Sequence, residues 1–454
     1  MSQLSASAHD HDHGHAHAGH AHHGHHGHGE PPSLAADNTE APKGWGSALM
    51  GLFIVAGIAC AGATLASGFI LGGADEAAQK TAIKHGLASY HVGALVALGM
   101  ALGPLGLVLI MNLVKAGWFV TLRRQAENAA SLVWLGVIML LPPLVIELLK
   151  PGVFIKWRTP GLIATDELLA KKAPYLNDPF FFSRLAVYAI VWIIIARLIV
   201  GFSRKQDITG DKWLSNKASF HSAWAILAFA LTCAFASFDL IKALDFHWFS
   251  TMFGVYFFAG NMLAGLSILV VILAALRSSG RLKGLVTAEH FHDTGKLMFA
   301  FTVFWAYISF SQYFLYWYAN IPEETGWFMA RQSNGWQYLF YALCIGHFIV
   351  PFLILIWRDV KKSTILLAAM GVFMLVMHIL DVFYQIRPLV YMTKVIDQTA
   401  VIPGKVGLGW MDFTGALGPV LIFIGVLIWK VRSAPLIPIK DPRLPEALEH
   451  KNYV

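Results

Sequence analysis

Charged residues are scarce in this chain. Asp, Glu, Lys and Arg make up 13% of its 454 residues, while 56% are hydrophobic. That balance excludes an ordinary soluble globular protein of this length. Cysteine is scarcer still, with Cys60, Cys233 and Cys344 far apart and no CxxC or CxxCH among them. The spacing excludes covalent c-type haem and a protein-supplied iron–sulfur cluster, and leaves the three as small apolar core residues. No apolar run precedes Ser47, so no cleavable signal peptide is expected. The net charge of +7 is expected to reflect membrane topology and anionic headgroups, with no nucleic-acid partner.

What is abundant is long apolar runs, each able to cross a bilayer at about 20 residues or more. Ten are expected, at 47–71, 86–114, 129–149, 179–201, 218–240, 249–276, 295–319, 335–357, 363–384 and 410–430. They are too long, and too rich in Leu, Ile, Phe and Gly, for porin-type strands. If the N-terminus is cytoplasmic, the inner segments hold 19 Lys and Arg and the outer loops 12. Both termini are therefore expected in the cytoplasm. Residues 433–454 would be a C-terminal cytoplasmic tail.

Residues 9–28 hold 11 of the 20 histidines, interleaved with Gly and Ala. Such a tract offers no apolar face, and 1–44 is expected to be a disordered cytoplasmic tail. Imidazoles without fixed spacing bind transition metals only loosely. No structural metal site is expected.

Polar landmarks recur along the chain. "SYHVGALVALG" and "DFHWFSTMFGVYFFAGN" each carry a histidine, His91 and His247, while "ASFDLIK" and "HILDVFYQI" each carry an aspartate, Asp239 and Asp381. The recurrence points to two similar helical bundles, at about 86–240 and 249–384, with the first and tenth spans outside them. His378 and Asp381 are three residues apart, on one helix face. That stripe can turn inward while Leu, Val and Phe meet lipid. Groups able to change protonation, on a shared face, suit proton handling. Thr302 and Tyr307 on the seventh span, and Asp293 at its mouth, would then lead toward the site from the cytoplasm.

Three functions fit a bundle of this kind. A b-type haem fits poorly, because His347 lies roughly 18 Å and His378 roughly 9 Å below the outer ends of their spans. A secondary transporter or proton-coupled permease would place charge at the midplane, yet the ionisable groups here gather toward one face. A quinone pocket needs an aromatic-lined cleft with a few polar groups. The seventh span, "FTVFWAYISFSQYFLYWYAN", offers Gln312 and Tyr307 among its aromatics.

Two stretches carry a resemblance: "HDTGKLMFAFTVFWAYISFSQYFLYWYANIPEETGWFMAR" (292–331) and "DFHWFSTMFGVYFFAGNML" (245–263). With most of 45–435, they resemble the polysulfide-reductase-type, NrfD/PsrC-like membrane subunits of alternative complex III, in particular quinone-binding subunit 2. The resemblance implies an all-α integral membrane fold of about ten transmembrane helices, two four-helix bundles plus two peripheral helices. It implies a bacterial inner membrane, a quinol:electron-acceptor oxidoreductase, and menaquinol or ubiquinol as substrate. Its partners would be iron–sulfur and c-type cytochrome subunits and a paralogous NrfD-like subunit. No haem or iron–sulfur ligand is expected in this chain itself. The site expected on these grounds comprises Asp381, His378, Asp239, His247, His91 and Gln312, with Tyr307, Thr302 and Asp293 on a proton route.

Overall fold

The computed structural model describes residues 32–71, 75–390, 392–396, 400–403 and 408–452. The histidine tract lies outside the described residues. Among the described residues the chain is all-α apart from one hairpin, with ten helical spans long and apolar enough to cross a membrane. In chain order the main helices are α1 (Ser47–Ile70), α2 (Glu76–Leu113), α3 (Val120–Ala130), α4 (Val133–Leu149), α5 (Asp178–Thr209), α6 (Trp213–Leu240) and α7 (Phe253–Ser278). They continue with α8 (Ala288–Ala319), α9 (Pro322–Arg331), α10 (Trp336–Leu343), α11 (Val350–Leu355) and α12 (Thr364–Val390). A hairpin of β1 (Met392–Ile396) and β2 (Ala400–Pro403) leads to α13 (Trp410–Arg432) and the short α14 (Leu444–Leu448). A π-helical turn, Cys344–Ile349, joins α10 to α11 within one span.

Side-chain caps set several of the helix starts. Asp75 accepts from the amides of Ala77 and Ala78, so α2 begins ten residues before the apolar run that marks it in the sequence. Asn177 accepts from Phe180 N and starts α5. Thr287 and His290 form a reciprocal cap on α8. Left-handed Gly210 ends α5. Each cap satisfies amides or carbonyls that a helix end leaves open.

Bundle one comprises α2, α3–α4, α5 and α6; bundle two comprises α7, α8, α10–α11 and α12. They meet where α2 crosses α7, and both helices are buried along most of their apolar length. The crossing depends on glycine. A Cβ on Gly103 would fall 1.9 Å from the Asn261 carbonyl oxygen, and one on Gly265 would fall 2.7 Å from the Gly103 carbonyl carbon. With no hydrophobic drive between helices in lipid, this close backbone approach supplies the contact. The first and last spans, α1 and α13, pack on each other and on α2.

Two segments differ from expectation. Residues 120–128, which fall between the second and third expected spans, belong to the buried helix α3, with Arg123, Arg124, Gln125, Glu127 and Asn128 all inside. Arg123 pairs with Glu127 at 3.1 Å, and Arg124 with Glu127 at 3.4 Å and with Asp207. Internal neutralisation is what lets so polar a helix be buried. The segment after α13, expected as a cytoplasmic tail, is docked on the helices. Leu436 N donates to Thr39 O at 2.7 Å, Gln125 donates to Leu436 O at 2.7 Å, and Asp441 pairs with Arg123 at 2.7 Å. Burial alone would push the Asp441 carboxyl up. Arg123 and Arg443 outweigh it and hold the group below the usual carboxylate range. "Inner" below means the side on which these two chain ends meet.

Candidate functional site

The site is built on α12. One face of this helix points Val372 and Val376 outward, while His378, Asp381 and Gln385 turn inward at 2%, 3% and 4% exposure. Opposite them is Gly260 of α7. A Cβ there would fall 3.3 Å from His378 Cε1 and 3.8 Å from Asp381 Oδ2, so both side chains use the space this glycine leaves. The expectation that His378 and Asp381 share an interior stripe holds.

Asp381 is held entirely by neutral donors. Tyr256 Oη donates to Oδ1, Trp305 Nε1 donates to Oδ2 at 3.2 Å, and Gln385 Nε2 lies 3.4 Å from Oδ1. Gln385 also donates to the Tyr256 hydroxyl oxygen at 2.9 Å. None of these described partners is a cation. A carboxyl in such a setting can gain or lose a proton without breaking an ion pair.

Around this carboxyl sit polar atoms without partners. Both ring nitrogens of His378, both of His347, and both amide atoms of Asn261 are buried and find no hydrogen bond among the described residues. Asn261 and His378 converge at Gly99, where a Cβ would fall 2.4 Å from Asn261 Oδ1 and 3.2 Å from His378 Nε2. His347, carried by the π turn, lies over the Trp305 ring with centroids 4.0 Å apart. Groups of this kind are ordinarily served by internal water or by a ligand. One cluster thus draws on α7, α8, the π turn and α12.

A cavity of about 400 Å³ adjoins it between α8 and the α10–π-turn span. Tyr256, Trp305 and Gln385 form part of its wall, so the donors to Asp381 also line the cavity. Tyr313, Phe340 and Phe348 make it aromatic, and the outward-facing Tyr307, Phe310 and Ile349 frame its opening toward lipid. Gln312 lines it too and accepts from Ser250 Oγ at 2.8 Å.

Arg331 fixes the cavity's outer wall. Pro388 has no amide hydrogen, which leaves the Tyr384 carbonyl without its helical donor. Arg331 Nε donates to that oxygen at 3.0 Å and Nη2 donates to Gln385 O at 2.8 Å. Its guanidinium lies 3.4 Å from the Trp327 ring centroid. Burial pushes this group down to about 9.

The remaining expected residues lie elsewhere. Asp239 accepts from Arg184 at 2.9 and 2.7 Å and from Tyr188 at 2.8 Å, a closed ion pair within bundle one. Asp239 and Asp381, expected to be counterparts, face different neighbours. His91 bonds the Leu240 carbonyl at 2.8 Å, midway along α2. His247 is in the loop before α7, part-exposed, bonded to Asp166 at 2.8 Å. It is not the counterpart of His91. On α8, Thr302 donates back to Met298 O, while Tyr307 is 65% exposed. The two are five residues apart, about 140° around the helix, so they cannot form one internal route. Asp293 lies at the inner end, pairing with Lys296 at 2.9 Å and His450 at 2.5 Å.

Compared with protein-family models and with curated proteins, the chain gives no match. The functional reading therefore rests on the site itself. Tyr256, Trp305 and Gln385 were not singled out from the sequence, although Gln385 follows Asp381 by one helical turn and shares its face. Among the described residues no group of three or more His, Cys, Asp or Glu is placed to hold a metal ion.

Proposed function

We propose that this chain is an integral membrane subunit of a respiratory quinol:electron-acceptor oxidoreductase of the alternative complex III type. The observation that carries the reading is the lipid-facing aromatic cavity, whose inner wall is made of the side chains that hold Asp381. A quinol head needs an apolar slot reachable from the bilayer, with hydrogen-bonding groups at its end. Tyr256 and Gln385 supply those groups. Oxidation of the quinol gives up two electrons and two protons. Asp381 can take one proton through the Tyr256 hydroxyl. The His378, His347 and Asn261 cluster lies beside it for onward exchange. The electrons would pass to iron–sulfur and c-type cytochrome partners in the bacterial inner membrane, alongside a paralogous membrane subunit.

Cys344 makes the pocket testable, because it lines the cavity and is exposed. In the complex purified from membranes with Cys60 replaced by Ser, a short-chain quinone analogue should slow alkylation of Cys344 by N-ethylmaleimide. Equal labelling with and without the analogue would overturn the quinone site. The same preparation should carry c-type haem absorbance. A chain that purifies free of haem and iron–sulfur partners would favour a transporter acting alone.

A further inference from the structure

The protons around Asp381 fall in a definite order. An ionised carboxylate only accepts hydrogen bonds. Tyr256 therefore donates its hydroxyl hydrogen to Asp381 Oδ1, and its own oxygen is left to accept. Gln385 Nε2 meets that oxygen at 2.9 Å and Asp381 Oδ1 at 3.4 Å, so the amide NH2 is turned toward both. The network thus fixes which way the amide faces. Gln385 Oε1 is left over, shielded from solvent and without a donor among the described residues. A buried carbonyl in this state costs free energy until something donates to it.

The backbone that carries Gln385 is pinned as well. Arg331 donates to the carbonyl oxygens of Tyr384 and Gln385 at 3.0 and 2.8 Å. The Tyr384 hydroxyl is a second buried group that lacks a partner among the described residues. Tyr384 and Gln385 are 5% and 4% exposed, and both line the aromatic cavity. Gln312 of α8 lines it too but differs, because Ser250 already donates to its oxygen at 2.8 Å.

These two unpartnered groups select differently. A phenol hydroxyl can donate or accept, whereas an amide oxygen can only accept. A hydroquinone carries two O–H donors; the matching quinone carries carbonyl oxygens that only accept. Against Gln385 Oε1 the hydroquinone makes a hydrogen bond, while the quinone sets oxygen against oxygen and leaves both unpaired. A site with a buried polar group discriminates against an analogue that lacks the matching partner.

We propose that Gln385 determines the specificity of the cavity: its Oε1 accepts from a ligand hydroxyl, so the reduced quinol is taken in preference to the oxidised quinone. Tyr384 serves either form. The proposal deepens the quinone-site reading of this cavity and rests on it. The preference belongs to the state in which Asp381 is ionised and ready to receive a proton. The carboxylate orients Tyr256, Tyr256 orients Gln385, and Gln385 selects the ligand that has a proton to give.

The test uses the intact complex with Cys60 replaced by Ser, under anaerobic conditions. It reads the ligand concentration that halves the rate of Cys344 alkylation by N-ethylmaleimide. The probes are tetramethylhydroquinone and tetramethylbenzoquinone, whose fully substituted rings do not add to the thiol. The hydroquinone should half-protect at a concentration about tenfold or more below the quinone. In Gln385→Met that advantage should shrink to within about twofold, because the acceptor is gone. In Tyr384→Phe both ligands should weaken together, with their ratio kept. A variant that only loosened the cavity would likewise move both ligands alike. Equal protection by the two ligands in the native chain would overturn the proposal and leave the quinone site standing. That comparison needs no variant, so it decides even if Gln385→Met fails to fold. An undiminished preference in folded Gln385→Met would overturn the proposal as well. Absence of protection by either ligand would remove the quinone site itself, and the selectivity with it.

Discussion

Asp381→Asn should lower quinol-dependent turnover of the intact complex by about 10²–10⁴, the range that a positioned proton acceptor contributes. The amide is isosteric and keeps an oxygen to accept from Tyr256 or Trp305, so the helices should still assemble. What it loses is the capacity to take a proton. Steady-state quinol oxidation and proton-gradient formation are the measurements, and unchanged values in both would remove Asp381 from the mechanism. Asp239→Asn makes the contrast. There the variant strands the Arg184 guanidinium inside bundle one, a change that belongs to stability and costs about 3–5 kcal/mol. Loss of turnover at full stability is therefore specific to the carboxyl without a cation.

Gly103→Ala should act on the fold itself. The added methyl would meet backbone, 1.9 Å from the Asn261 carbonyl oxygen. No rotamer change can relieve that clash. The helices must separate, and the cost lies at or above the upper end of the 1–3 kcal/mol usual for overpacking. Separation would also shift Asn261 and Gly260, which face His378. The expected result is a marked fall in the amount of chain recovered from membranes and in its thermal midpoint. A variant with native yield and midpoint would show that the α2–α7 crossing is looser than these distances imply.

The number of spans was legible because apolar runs of this length have few other uses. Helix ends were less legible. α2 extends outward through Gln79, Lys80 and Lys84, polar residues that a hydropathy reading assigns to a loop. α3 was hidden for a related reason: its sequence, TLRRQAENAA, reads as solvated until Asp207 and Asp441 arrive from elsewhere to neutralise it. At the site, His378 and Asp381 could be found because ionisable residues stand out in an apolar helix. Tyr256 and Trp305 could not, being two aromatics in a chain where 13% of residues are aromatic. Asp239 and Asp381 match as letters and differ in chemistry. Only the arrival of Arg184 at one of them separates an ion pair from a carboxyl free to exchange.

The segment that follows α13 carries a consequence for biogenesis. It contributes Asp441 to Arg123, Leu436 O to Gln125, His450 to Asp293 and Asn452 to Glu289, and so ties the inner ends of α3 and α8 together. These residues are translated after the ten described spans. Until they are made, Arg123 lacks one of its two counter-charges and α8 lacks a fastening at its start. The order of translation thereby places closure of the inner face after insertion of the ten described spans.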